Sequence, residues 1–189
     1  MLKINIRKAK PSDAKKAVPL IIDAIGDIAE RITGETEAEM MEQSLCELFV
    51  LDNNPNSYVY TYIAEFEGKI VGTLVLYSGT DAPILGKNLS AWLVEKEAKV
   101  TEIDAESLPD EFYIDTICID PKFRGKGIGS QFFAFAEDIA KQTGHSKLSL
   151  NVETQKEPAI RLYKRLGYEI VSPWTIIGEP FHHMVKIIH

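Results

Sequence analysis

Residues 111–142 hold the feature that most restricts how this chain can fold. An apolar strand pattern, EFYIDTICI, runs into the basic glycine turn Arg124-Gly125-Lys126-Gly127-Ile128-Gly129. An amphipathic run follows, with Ile128, Phe132, Phe135, Ala136 and Ile139 on one face. A strand that passes through glycines into a helix leaves unpaired N–H groups and the positive end of the helix dipole at the turn. The glycines let a ligand lie against the backbone. This arrangement predicts a pyrophosphate cradle. Two nucleotide motifs built on the same physics are excluded. A P-loop needs Ser or Thr after Gly-Lys, and none of the Gly-Lys pairs at 68–69, 86–87 and 125–126 has one. A dinucleotide fingerprint needs glycine at its sixth position, which is Ser130 counted from Gly125 and Phe132 counted from Gly127.

The remaining periodicities predict a strand over 2–7, a helical run from Val18 to Ile32 closed by Gly34, and a helix over 36–50. They also predict strands over 57–66 and 69–77 joined by Glu67-Gly68, and a strand over 111–119 before the turn. A helix over 127–142, a strand over 147–152, a helix entered at Pro158 and ended by Gly167, and strands over 168–172 and 181–188 complete the pattern. This order implies an α+β fold with a mixed sheet and helices on both faces, in one domain of 189 residues interrupted by an insert at 79–110. The net charge of −7 argues against nucleic acid as a partner. No apolar run is long enough to span a membrane, and no secretory leader is legible. Cys46 and Cys118 form no Cys-x-x-Cys pair, which fits a reducing, cytoplasmic setting. His182 and His183 are neighbours on a strand and point to opposite faces, so a surface or strand-lining role is expected and no metal site is.

At the glycine turn the chain resembles the GNAT superfamily of acetyl-CoA-dependent N-acetyltransferases. Arg124, Gly127 and Gly129 match its Gln/Arg-x-x-Gly-x-Gly/Ala signature, and Leu162, Tyr163, Gly167 and Tyr168 match its Leu-Tyr-x-x-x-Gly-(Phe/Tyr) ending. Lys156 departs from the family pattern, standing where many members carry an Asn that contacts pantetheine. The resemblance implies a mostly antiparallel twisted sheet with splayed middle strands, and acetyl-CoA as co-substrate. It implies a diphosphate held by Arg124, Gly125, Lys126, Gly127, Ile128, Gly129 and Ser130, and a pantetheine arm pairing with Ile117, Cys118 and Ile119. It further implies direct attack of a primary amine on the thioester, with Tyr163 as the acid that protonates the departing thiolate. The bland alternative for Tyr163 is a helix side chain that only fills space. Cys118 is expected to be an inert strand thiol.

For the base, Glu111, Tyr113 and Asp115 share one strand face by alternation, continued by Ile117 and Ile119. Asp115 is the first candidate and Glu111 the second. Asp115 could equally bind the substrate ammonium or cap a loop. Between residues 81 and 111 eight acids face three lysines, so the insert is either a lid over a cationic amine or a solvated loop. The competing function is a non-catalytic acyl-CoA sensor of the same fold. A homodimer through the C-terminal strands is compatible with both.

Overall fold

The computed structural model describes residues 2–189. Seven strands form one sheet: β1 (Asn5–Lys8), β2 (Thr61–Phe66), β3 (Lys69–Ser78), β4 (Phe112–Ile119), β5 (Lys147–Glu153), β6 (Glu169–Ile176) and β7 (Glu179–Ile187). Their spatial order is β1-β2-β3-β4-β5-β7-β6, and among the described residues only β4 and β5 run parallel. The helices are α1 (Ala14–Ile25), α2 (Ile28–Thr33), α3 (Ala38–Val50), α4 (Ala82–Glu95), α5 (Ile128–Gln142) and α6 (Glu157–Arg165). Among the described residues no helix is long and apolar enough to cross a membrane.

The helices divide by face. Phe132, Phe133 and Ala136 of α5 pack on Leu74, Ile114 and Leu150 of the sheet, with α6 leaning on the same core. On the other face Ala17, Val18 and Ile21 of α1 meet Leu45, Leu48 and Phe49 of α3 and Leu89, Trp92 and Leu93 of α4. Two of the differences from the expected elements have a local cause. The run over 18–32 is two helices, because Gly26 takes φ 55°, ψ −127° and stops the first. The strand expected from residue 57 begins at Thr61. Asn54 donates to the Leu48 carbonyl, and Ser57 accepts from the Val59 N–H and, through its carbonyl, from Thr61 Oγ1. These local bonds hold the segment in turns against its strand propensity.

Two features of the sheet create the site. β4 and β5 pair only over Phe112–Ile114 against Leu148–Leu150, and beyond that they part. The β3–β4 register also slips between Val75 and Leu76, so that Val75 faces Thr116 while Leu76 faces Ile114. Asp115 is the extra residue of this β-bulge, a device that re-aims a side chain. The bulge corrects the simple alternation. Tyr113 belongs to the face with Tyr77 and Leu85, whereas Ile117 and Ile119 pack on the opposite, α5-side core.

The insert closes on itself where it leaves and rejoins the sheet. Gly79 donates its N–H to the Glu111 carbonyl at 2.8 Å, and a Cβ on Gly79 would stand 1.9 Å from the Leu108 carbonyl oxygen. That obstacle is backbone and cannot rotate away. Gly79→Ala is therefore expected to cost about 2–3 kcal/mol and to lower the Tm by roughly 5–10 °C in a thermal melt.

Candidate active site

The parting of β4 and β5 opens one side of β4. The Asp120 N–H donates to the Val71 carbonyl at 3.0 Å, and antiparallel pairs alternate between bonded and non-bonded. Within that register Cys118 exchanges backbone bonds with Thr73, while Ile117 and Ile119 turn their N–H and C=O groups into the gap. The gap leads to the glycine turn. Gly125 and Gly127 adopt φ 73° and 83°, and Gly127 caps α5 in the left-handed conformation. The first N–H groups of a helix have no partner within it, so Ile128, Gly129 and Ser130 present theirs to the turn. Gly129 packs against β4, where a Cβ would meet Ile119 Cδ1 at 3.4 Å, within ordinary van der Waals contact. The Arg124 side chain folds back: Nε donates to the Ile119 carbonyl at 3.0 Å and Nη2 pairs with Asp23 at 3.0 Å.

At the other end lies a cleft of about 550 Å³ walled by α1, α2, α4, the insert and the β6–β7 turn. Asp115 and Glu106 face into it from the bulge and from the insert. Both keep some solvent contact through the cleft while lying deep among protein atoms. Tyr77 donates to Asp115 Oδ2 at 2.9 Å and Thr116 to Oδ1 at 2.7 Å, while Tyr113 donates to Glu106 Oε2 at 2.7 Å. Burial raises Asp115 above the ordinary carboxylate value against the pull of the Thr116 and Tyr77 bonds. Burial together with the Asp115 charge pushes Glu106 up to about 8, despite the Tyr113 bond. Both tyrosines are held far above their usual value, first by burial and then by these carboxylates, so both remain donors.

Glu111 occupies a different position. It is 1% exposed and accepts from His183 Nε2 at 2.9 Å and from the Leu108 N–H at 2.9 Å. Burial acts to raise it, but those bonds and the His183 charge hold it below the ordinary value. It does not line the cleft, so the expectation of Glu111 as second base is corrected to that of a buried partner for His183. The strand-lining reading of His183 agrees with its position, since the ring is fully buried. Among the described residues no group of three or more His, Cys, Asp or Glu side chains is arranged to hold a metal. Sequence reasoning missed Glu106 and Tyr77 as site residues. One was a single acid in an acidic stretch, and the other an aromatic in an apolar strand.

The match of residues 22–168 to the model of the Acetyltransferase (GNAT) family covers most of the chain. The chain belongs to that family. A solved structure described as an acetyltransferase superposes with TM-score 0.80 at 30% identity over 98% of this chain and all of that one. The aminoalkylphosphonate N-acetyltransferase of Salmonella typhimurium is 28% identical over 134 residues, 66% of this chain and 86% of that protein. An uncharacterized N-acetyltransferase of Methanocaldococcus jannaschii is 41% identical over 64 residues, 32% of this chain and 28% of that protein. The matched stretch thus spans little more than a quarter of the M. jannaschii relative. GNAT enzymes take their acetyl group from acetyl-CoA.

In this GNAT chain Tyr163 of α6 lines the cleft on the side where β4 and β5 part. Its ring stacks edge-on against Phe133 at 5.6 Å and Tyr168 at 6.3 Å, and burial raises its phenol above the usual value. Cys118 corrects the expected pantetheine-facing set, because its backbone turns to β3 and its thiol points at the Leu20 carbonyl on the α1 face. Burial pushes that thiol up to about 11, which keeps it protonated and unreactive. Lys156, at the departure from the family pattern, pairs with Glu153 at 2.6 Å at the start of α6.

Proposed function

We propose that this protein transfers acetyl from acetyl-CoA to a primary amine by direct attack within a ternary complex. The observation that carries this reading is the parted β4–β5 edge, with the α5 glycine turn at one end and the Asp115–Glu106 pair at the other. Pyrophosphate would take the N–H groups of Gly127 through Ser130, and pantetheine would pair with the free backbone of Ile117 and Ile119. The Ile119 carbonyl is already used by Arg124, so the N–H groups matter most on that edge. The acetyl carbon then lies between Tyr163 and the carboxylate pair. An ammonium arriving at the pair gives up a proton to it, and the free amine attacks the thioester carbonyl. The resulting oxyanion is met by a β4 N–H; as it collapses the C–S bond breaks, the CoA sulfur leaves with the Tyr163 proton, and the second proton on the newly bonded nitrogen is released to restore the Tyr163 phenol. Ionic balance favours a cationic acceptor, since Glu102, Asp104, Glu106, Asp115 and Glu153 line the cleft against Arg31, Lys87 and Lys156. The similarity to an aminoalkylphosphonate acetyltransferase makes small amines the first acceptors to try.

The test is CoA-thiol release over a panel of polyamines, aminoalkyl compounds, amino sugars and peptide N-termini. Turnover with at least one amine is expected, with intersecting initial-rate lines. Tight acetyl-CoA binding without turnover on any amine would overturn the reading in favour of an acyl-CoA sensor. Parallel lines would instead indicate an acetylated enzyme. The cradle has its own test. Gly127 sits at φ 83°, ψ 11°, where a β-branched side chain is strained. Gly127→Val is expected to raise the acetyl-CoA Kd by about 10-fold or more in calorimetric titration.

A further inference from the structure

Behind the carboxylate pair lies a buried chain of polar side chains that acetyl transfer, as proposed above, does not itself use. His183 Nε2 lies 2.9 Å from Glu111 Oε1, and His183 Nδ1 lies 2.7 Å from Asn151 Oδ1. Asn151 Nδ2 donates to the Glu106 carbonyl at 2.7 Å and to the Tyr113 hydroxyl at 3.2 Å, and Tyr113 donates onward to Glu106 Oε2. The hydrogens in this chain can be assigned by elimination. Tyr113 spends its hydrogen on Glu106, so its oxygen accepts from Asn151. Both amide hydrogens of Asn151 are then used, which turns its oxygen to His183. His183 Nδ1 must therefore carry a hydrogen. Nε2 also faces a carboxylate that the Leu108 N–H helps to keep ionised, so it carries one too. A rotated Asn151 amide would set its oxygen against the Glu106 carbonyl and leave that carbonyl without its donor.

We propose that His183 is a positioning residue for the acceptor-side carboxylate. Its doubly protonated ring, anchored on Glu111, fixes the Asn151 amide, and Asn151 and Tyr113 together hold Glu106 aimed into the cleft. This inference rests on the reading of Glu106 as part of the base. Trp174 supports the arrangement from β6: its ring lies over His183 at 4.6 Å with a 30° tilt, and its Nε1 donates to the Ala105 carbonyl beside Glu106. One set of side chains thereby ties β7, β5, β4 and β6 to the insert segment that carries Glu106. The groups facing Glu106 are Tyr113 and Asp115 from β4, Tyr77 from β3 and Asp104 from the insert. The charged group facing His183 is Glu111.

The test needs no acceptor amine. Ring ¹⁵N resonances of His183 in the wild-type protein are expected to show a hydrogen on each nitrogen, as the contacts with Asn151 Oδ1 and Glu111 Oε1 require. A ring with one bare nitrogen would overturn the proposal. In parallel, ¹³C-carboxyl NMR follows the Glu106 titration, assigned by its disappearance in Glu106→Gln. His183→Gln and Asn151→Leu are both expected to move its midpoint up by about one pH unit, as Tyr113 turns from Glu106 once the Asn151 amide no longer holds its hydroxyl. Asn151→Leu adds no charge beside Glu106, so it serves if His183→Gln does not fold. A midpoint unchanged in the folded variants would mean that the chain is structural only. These readouts stand whether or not any amine is acetylated, so failure of the positioning idea is distinguishable from failure of the transferase reading.

Discussion

Tyr163→Phe is expected to lower turnover by about 10²–10³-fold while leaving acetyl-CoA affinity within a factor of about 2. The substitution removes one oxygen and keeps the ring that packs between Phe133 and Tyr168, so the fold is expected to be little disturbed. What is lost, on the proposed mechanism, is the proton donor for the CoA thiolate. Burial holds the Tyr163 phenol above its ordinary value, so it is fully protonated throughout the neutral range. The wild-type enzyme should show no loss of acid function until strongly alkaline pH. The decisive comparison is kcat against acetyl-CoA Kd for the same amine. An equal fall in binding and turnover would make Tyr163 a packing residue. A fall in kcat alone makes it the acid, because its hydroxyl would then matter only as the thiolate departs.

The parts of the site that are local in sequence were legible there, and those that depend on register were not. The glycine turn could be read because every group it uses, from Gly125 to Ser130, lies in one short stretch formed by a loop and the first turn of α5. The order of strands and helices followed from periodicity, since core burial imposes period 2 or 3.6 on each segment. Asp115 stands out in the sequence as a carboxylate within an apolar strand. The slip that makes it a bulge arises from pairing with β3 and leaves no mark in β4 alone. For that reason simple alternation puts Ile117 and Ile119 on the face of Tyr113, whereas they pack on the opposite one. Glu106 was hidden differently. It is one of eight acids in the insert stretch, and nothing nearby in sequence distinguishes it from Glu102, which is exposed. Only the return of the insert over Tyr113 and Asn151 gives it buried partners. Glu111 and His183 are 72 positions apart, a separation that no local pattern bridges.

Glu106→Gln carries the other large effect, and it separates function from stability. As a neutral amide it keeps the size of the side chain and an oxygen for Tyr113, but it cannot take a proton from the incoming ammonium. The expected loss in kcat/KM is about 10²–10³-fold near neutral pH. On the proposed mechanism wild-type kcat/KM should rise with pH through an apparent value near 8, because Glu106, raised by burial and the Asp115 charge, must shed its proton before the pair can act as base. In the variant that limb should vanish or move to lower pH, where Asp115 alone titrates. Stability should run the other way. The folded protein holds the Glu106 proton up to about 8, whereas an unfolded glutamate releases it near 4.5. Between those values the native state binds more protons than the unfolded state, so the contribution of this group to stability is complete below the lower value. It is lost as pH rises through the upper one. Glu106→Gln escapes that loss and should melt above the wild type at about pH 9 while matching it near pH 4. Retained activity across the pH range would remove Glu106 from the mechanism and leave Asp115 as the base. Lost activity with parallel melting curves would show a needed carboxylate whose titration is not raised by burial. A variant that is nearly inactive yet more stable in alkali is the combination expected of a carboxylate kept buried, beside a second one, for proton transfer.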